Sequence, residues 1–300
     1  MTKGFCTLAV GDKAYYQLAT NLLLSYRLHT KNPLSFAIIC DHENEYTKLF
    51  DKVVILSHSS CSYMDKIEML NDPPHDYNVF IDADCLVYQD INYLLDLCKN
   101  GVTLFGGTHS LSEVGRGWFD ANSLYEFTKR VNYNISSHGG IMFFRKDGLT
   151  KSVYNDCKAI ARHYSDFHFA MFEKPADEPI VALAMAANNC VPISRQDYYD
   201  AYGFYPTFKD CRMNILKGIM SYTFDGYNWI ENVKIVHWQN RNTQKAIYRT
   251  EVKKMELFMN NSKALTLFAF LWGIFYNMQE VWDNTINRFH RKLKEMISFN

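Results

Sequence analysis

The segment 78–91 reads NVFIDADCLVYQDI, and in it an apolar run, Val79-Phe80-Ile81, ends in two aspartates, Asp82 and Asp84, one residue apart. Two anions at the end of a hydrophobic strand cost free energy through desolvation and mutual repulsion, so either the strand end is fully solvated or a cation bridges them.

The pair alone fits three arrangements: a divalent-metal site holding a nucleotide diphosphate, the nucleophile of a haloacid-dehalogenase-like phosphatase, or a solvated loop. The phosphatase arrangement wants its aspartates after the first strand with a second acidic cluster downstream, whereas here three strand-like runs come first. A metal with a diphosphate predicts a further ligand and a nearby cation, because magnesium and manganese take oxygen and imidazole donors. His237, at the end of VKIVHW, and Lys66, in YMDKIEML, are the candidates. A lone His such as His237 has a structural reading too, and its strand-end position favours the ligand.

The elements that must position these residues alternate. FCTLAV reads as a strand, and Gly11-Asp12 opens a helix whose apolar positions Tyr15, Leu18, Leu22 and Tyr26 recur at three and four. Strands LSFAIIC and KVVIL follow, with helices expected around ENEYTKLF, YMDKIEML and DINYLLDL. This order predicts an α/β fold, a Rossmann-like, mainly parallel mixed sheet with helices on both faces, and ligands then bind beyond the carboxyl ends of the strands, where Asp82 and Asp84 fall. GVTLFGG, GGIMFFR and VKIVHW read as further strands; KSVYNDCKAIARHY and DEPIVALAMAA read as helices.

With 300 residues, 48% hydrophobic, the chain can bury a large core; one catalytic-size domain over 1–250 and a helical tail over 251–300 is the expected division. Basic and acidic residues balance at 32 each, which argues against a general nucleic-acid binder. The eight cysteines form no C-x-x-C pair and read as reduced, buried thiols. MTKGFCTLAV has no signal-peptide pattern, so the expected location is cytoplasmic.

Taken in order, YMDKIEML, YNVFIDADCLVYQDINYLLDL, HGGIMFF, DEPIVALAMA and KIVHW resemble the nucleotide-sugar glycosyltransferases of the GT-A fold, most closely family eight, from the first strand to about residue 245. The resemblance implies metal-dependent transfer of a sugar from a UDP-sugar to a glycan or lipid-linked acceptor, with retention of anomeric configuration. It implies Mn2+ (or Mg2+) on the donor diphosphate, held by Asp82, Asp84 and His237. It places Ala9, Val10, Asp12 and Tyr15 at the base, and Lys66, Ala83, Gly139 and Gly140 beside the rest of the donor. Gly139-Gly140 is then either a simple bulge or a place where backbone approaches the sugar. Asp177 and Glu178 read either as helix N-terminal charges or as catalytic carboxylates facing the anomeric carbon, where positive charge develops. His109, Trp118 and His138 are the acceptor-side candidates. This chain departs from the family in having His138 for a common Asn, Asp177-Glu178 for Asp-Gln, and Thr243 where a Lys-Pro-Trp would begin; Arg241 or Lys245 would have to supply the missing cation. A sugar-phosphate nucleotidyltransferase is the enzymatic alternative, but AVGDKAYY lacks its glycine- and basic-rich loop. A non-enzymatic nucleotide- or glycan-binding module with a structural metal is the other.

The tail carries ALTLFAFLWGIFYNM over 264–278, short of the ~20 residues that span a bilayer. An apolar stripe continues through Phe268, Leu271, Phe275, Met278, Trp282, Ile286, Phe289, Leu293 and Met296, with Arg288, Arg291, Lys292 and Lys294 on other faces. Such an amphipathic helix predicts peripheral contact through 264–296 with the inner face of a membrane, or else packing on the catalytic domain or a second copy in a homodimer.

Overall fold

The computed structural model describes residues 1–113, 116–119, 129–169, 174–194, 201–204, 211–224, 228–260, 271–279, 281–282 and 285. Strand β1 (Lys3–Ala9) leads into α1 (Lys13–His29), whose N-cap Asp12 accepts the Ala14 N–H. Helix α1 buries Tyr16, Ala19, Leu22, Leu23 and Tyr26. Its apolar face keeps Leu22 and Tyr26 of the expected stripe, with Leu18 partly buried, but in the first turn Tyr16 faces the core and Tyr15 is 54% exposed.

Strands β2 (Ser35–Cys40) and β3 (Lys52–Ile55), the single-turn α2 (Asp65–Glu68), and strands β4 (Tyr77–Ile81) and β5 (Cys85–Val87) follow. Then come β6 (Val102–His109), β7 (Asn134–Arg145), α3 (Gly148–Arg162), α4 (Asp177–Ala187) and β8 (Ile193–Ser194). The main sheet has seven strands in the order β3-β2-β1-β4-β7-β6-β8. Only β7 runs against the rest, since the β4–β7 and β6–β7 pairs are antiparallel and the other four are parallel. The fold is thus α/β with a mostly parallel mixed sheet. Side chains alternate between two cores: from β1, Phe5 joins the layer under α1 while Cys6 joins the layer under α3 and α4.

Three expected helices are shorter than their sequences suggest. ENEYTKLF forms only a 3-10 turn over Thr47–Leu49, YMDKIEML only α2, and DINYLLDL a 3-10 stretch over Asn92–Leu97. Polar side chains capture the backbone or its neighbours at each start: Asn44 accepts from the Tyr46 and Thr47 N–H groups, Asp65 from the Ser60 N–H, and Asp90 from the Asn92 N–H.

Past the main sheet, β9 (Gly203–Phe204), β10 (Cys211–Asn214), β11 (Ile219–Phe224), β12 (Asn228–Ile230) and β13 (Ile235–His237) build two small sheets, β5-β13-β9 and β10-β11-β12. Helix α5 (Ala246–Met259) crosses residue 250 and packs on the main body through Tyr248, Val252 and Met255; its buried Glu251 accepts the Ile215 N–H at 2.6 Å. All eight cysteines are free, and six are buried.

Residues 271–279 are helical and lie along α5. The Arg249 guanidinium sits 4.1 Å from the Tyr276 ring centre and donates to Gln279, and Lys253 sits over Trp272. The opposite side leaves Leu271, Phe275, Met278 and Trp282 exposed. Phe268, Ile286, Phe289, Leu293, Met296 and the four basic residues of the stripe lie outside the described residues. No described helix is long and apolar enough to cross a membrane.

Candidate functional site

Strand β1 has β2 on one side and β4 on the other, so the chain reverses its winding direction between β1 and β4. At such a switch point the loops leaving the carboxyl ends diverge and open a crevice. Here the loops after β1 and β4 line a cleft of about 1630 Å³ together with the start of α4 and the end of β13. That exceeds the ~300–1,000 Å³ of a typical single-ligand pocket.

The two aspartates are set by a tight turn. The Asp82 N–H donates to the Gly140 carbonyl at 2.9 Å, extending the β4–β7 ladder, and the Cys85 N–H donates back to the Asp82 carbonyl at 3.0 Å. Strand β5 then pairs antiparallel with β13, with Cys85 opposite His237, and the Trp238 N–H donates to the Asp84 carbonyl at 3.0 Å. Residues more than 150 positions apart are thereby brought together: His237 Nε2 lies 3.0 Å from Asp84 Oδ1 and 3.6 Å from Asp82 Oδ2. On its other side, His237 Nδ1 is 2.6 Å from the Tyr202 hydroxyl, which immediately precedes β9. Tyr202 thus fixes which ring nitrogen faces the carboxylates.

Lys66 on α2 reaches the cleft from behind, its Nζ 2.7 Å from Asp82 Oδ1 and 3.1 Å from Asp177 Oδ2. Asp177 Oδ2 has no aligned hydrogen bond, so its contact with Lys66 is one of charge. Glu178 accepts the Gly139 N–H at 2.7 Å.

Burial pushes the Asp82 carboxyl up, against the pull of Lys66 and His237, with Asp84 adding to the rise. Asp84 is held below its usual range: burial opposes this, but the bond to His237 and its charge outweigh it. His237 rises correspondingly, burial working against its charge and Asp84 overcoming it. Burial, opposed by the Gly139 N–H and aided by the Asp177 charge, pushes Glu178 up to about 7.

A divalent ion fits this donor set. Asp82, Asp84, Asp177 and Glu178 face one ammonium and one imidazole, so with all six groups charged this cluster carries two negative charges in excess. Adjacent ligands on an octahedral ion with ~2.1 Å bonds stand ~3 Å apart, which matches the 3.0 Å between Asp84 Oδ1 and His237 Nε2. Cys85 also brings its sulphur within 4.8 Å of those two donors. Its thiol is buried and pushed well above its ordinary pKa by that burial, and hard cations prefer oxygen, so Asp82 is the better third ligand.

No protein-family model matches the chain, and no curated protein sequence matches it. The site is therefore read from its own geometry.

Val10, Asp12, Tyr15, Lys66, Ala83 and the five acidic and imidazole groups all line the cleft, as expected. Ala9 does not; it is buried at the end of β1, paired with Cys40. The glycine pair serves the protein's own side chains. A Cβ on Gly139 would lie 2.8 Å from Asp177 Oδ2, and one on Gly140 would lie 1.9 Å from the Tyr202 hydroxyl. Asp177, Glu178, Tyr202 and His237 thus occupy the space that side chains at 139 and 140 would need. His109 and Trp118 bond instead to Ser136 and Ser137 on β7, and His138 sits on β7 opposite Phe105. None of the three is in the cleft lining among the described residues. Lys245 is also outside it, and the Arg241 side chain lies outside the described residues.

Sequence reasoning missed Tyr202 and Asp41. Asp41, just past β2, accepts the Gly11 N–H at 3.1 Å and the Tyr16 hydroxyl, so it holds the loop after β1 in place. An acidic residue directly after the second strand of a Rossmann-like sheet was the available signal.

The raised carboxyl of Glu178 gives a signed expectation for stability. Between pH 4.5 and about 7 the folded protein holds a proton that the unfolded chain has released, so this residue's contribution falls as pH rises through that window. Glu178→Gln keeps an acceptor for Gly139 and removes the buried charge. After discounting for solvent at the cleft wall, it should stabilise the metal-free protein by about 2 kcal/mol at pH 8 and leave it nearly unchanged at pH 4.5. Urea denaturation at the two pH values checks this, and destabilisation at pH 8 would show that the charged form is the favoured native one.

Proposed function

We propose that the chain is a divalent-metal-dependent glycosyltransferase of the GT-A fold, akin to family eight, which transfers a sugar from a UDP-sugar to a glycan or lipid-linked acceptor. The observation that carries this is the meeting of Asp82, Asp84 and His237 at the switch-point cleft, with Lys66 against Asp82. Bound there, Mn2+ or Mg2+ would act as a Lewis acid that neutralises the departing diphosphate. The chain's own residues do the rest. Tyr15, exposed beside the loop 10–12, offers a face for the base. Tyr202 orients His237, and Lys66 keeps Asp82 ionised and aimed. Thermal shifts across a panel of nucleotide-sugars, with manganese or with chelator, test the reading, followed by donor hydrolysis without acceptor. Metal-dependent stabilisation by UDP-sugars together with hydrolysis is expected; a ligand at a hundred times its Kd adds about 2.7 kcal/mol. Stabilisation without hydrolysis would make the chain a binding module.

The exposed row Leu271, Phe275, Met278 and Trp282 supports an interfacial helix that brings the enzyme to a lipid-linked acceptor. The full chain should sediment with anionic liposomes, and a truncation after Asn260 should not. If both stay in the supernatant and only the full chain is dimeric, the helix joins two copies instead.

A further inference from the structure

We propose that Glu178 is the catalytic nucleophile and carries the sugar as a glycosyl ester, so that transfer proceeds by two displacements. This rests on the transferase reading above.

Of the five carboxylates that line the cleft, Asp12 caps α1 by accepting the Ala14 N–H, and three are engaged with cations: Asp82 at 2.7 Å and Asp177 at 3.1 Å from Lys66, and Asp84 at 3.0 Å from His237. Glu178 makes no ion pair among the described residues. Its Oε1 is anchored by the Gly139 N–H at 2.7 Å, while Oε2 has no hydrogen-bond donor among the described residues and the side chain lines the cleft. One anchored oxygen and one open one is the arrangement a carboxylate needs to attack from a fixed position. The support is rigid: Glu178 stands in the first turn of α4, whose residues from Ile180 to Ala186 are fully buried.

A structural role explains this placement poorly. Asp177 already supplies negative charge at the helix start, and burial raises the Glu178 carboxyl to about 7, so its ionised form is held there at a cost. The glycine at 139 is what admits it, since a Cβ there would lie 2.9 Å from Glu178 Cγ. The contacts run Asp84, His237, Asp82, Lys66, Asp177, and Glu178 follows Asp177 at the start of α4, outside this chain of ion pairs.

In the first displacement a lone pair on Oε2 forms a bond to the anomeric carbon as the bond from that carbon to the diphosphate oxygen breaks, its electron pair leaving on UDP. In the second, an acceptor hydroxyl attacks the same carbon from the vacated face. The ester bond breaks with its electron pair returning to Glu178, and the hydroxyl proton passes to a diphosphate oxygen. Two inversions give net retention.

The test compares the full-length wild type with Glu178→Ala, using manganese, the UDP-sugar that the wild type hydrolyses, and sodium azide. Glu178→Ala should bind UDP with manganese as the wild type does and lose turnover by ~10³-fold or more. Azide should restore part of that turnover and release a glycosyl azide of configuration opposite to the donor-derived product. Retained turnover in Glu178→Ala, or lost turnover with UDP binding intact and no glycosyl azide, overturns the nucleophile and leaves the transferase standing. If the wild type hydrolyses no nucleotide-sugar, the transferase reading fails and takes the nucleophile with it. Should Glu178→Ala not fold, wild type quenched in acid during turnover decides: one glycosyl unit on the peptide containing Glu178 is expected, and an unmodified peptide overturns the proposal.

Discussion

Asp84→Asn is expected to abolish turnover and to weaken UDP binding only when manganese is present. The substitution keeps the shape of the side chain and removes the negative charge of the carboxylate that stands 3.0 Å from His237 Nε2. Outer-sphere partners of a metal typically matter by ~10–100-fold in affinity, so loss of a direct ligand should cost at least ~100-fold. His237 would be affected as well, because the bond and charge of Asp84 are what raise its imidazole against the opposing effect of burial. UDP titrations of the variant with manganese and with chelator should therefore give the same weak affinity. Near-normal activity would mean that the strand-end aspartates are not metal ligands.

The largest effect on stability is expected from Lys66→Met. Methionine nearly matches the lysine stem in volume but leaves Asp82 and Asp177 side by side in a buried site, and both were within 3.1 Å of the removed charge. Breaking a buried ion pair from one side typically costs ~3–5 kcal/mol. The loss should be larger at pH 8 than at pH 5, where the orphaned carboxylates can take up protons. Manganese should restore part of it by returning a positive charge beside Asp82. Denaturation at both pH values, with and without manganese, checks this. A loss below ~1 kcal/mol that is independent of pH would mean that the pair behaves like an exposed one.

Much of the frame was legible because it follows from local pattern. The strands around FCTLAV, LSFAIIC and YNVFI are apolar runs ended by polar residues, and their alternation with helices implied the parallel part of the sheet and the location of its ligand edge. Asp82, Asp84, His237, Lys66, Asp177 and Glu178 could be nominated because acidic, basic and imidazole groups at element ends are conspicuous there.

What was hidden depends on contacts between distant segments. The reversed direction of β7 cannot be read from GGIMFFR, since both faces of that strand are covered and its apolar run would suit either direction. The glycines 139 and 140 read either as a bulge or as a close approach of backbone to a sugar; only the approach of Tyr202 and of α4 shows which of the protein's own side chains require them. Tyr202 itself lies in YYDAYGF among several aromatics, and nothing local marks the one that meets His237. In the first turn of α1 the sequence could not tell Tyr15 from Tyr16, which are equally apolar in a pattern; it is Tyr16 that turns inward and bonds Asp41. His109 and Trp118 were nominated by residue type, and their bonds to Ser136 and Ser137 on β7 depend on a strand pairing that no local pattern shows.

The central claim is that the cleft at the ends of β1 and β4 binds a nucleotide diphosphate through a divalent cation held by Asp82, Asp84 and His237. Calorimetric titration of UDP into the full-length protein, once with manganese and once with excess chelator, tests it most directly. The account predicts one UDP per chain with manganese and at least ~100-fold weaker binding without it. Equal affinity in the two titrations, or no binding in either, would contradict it.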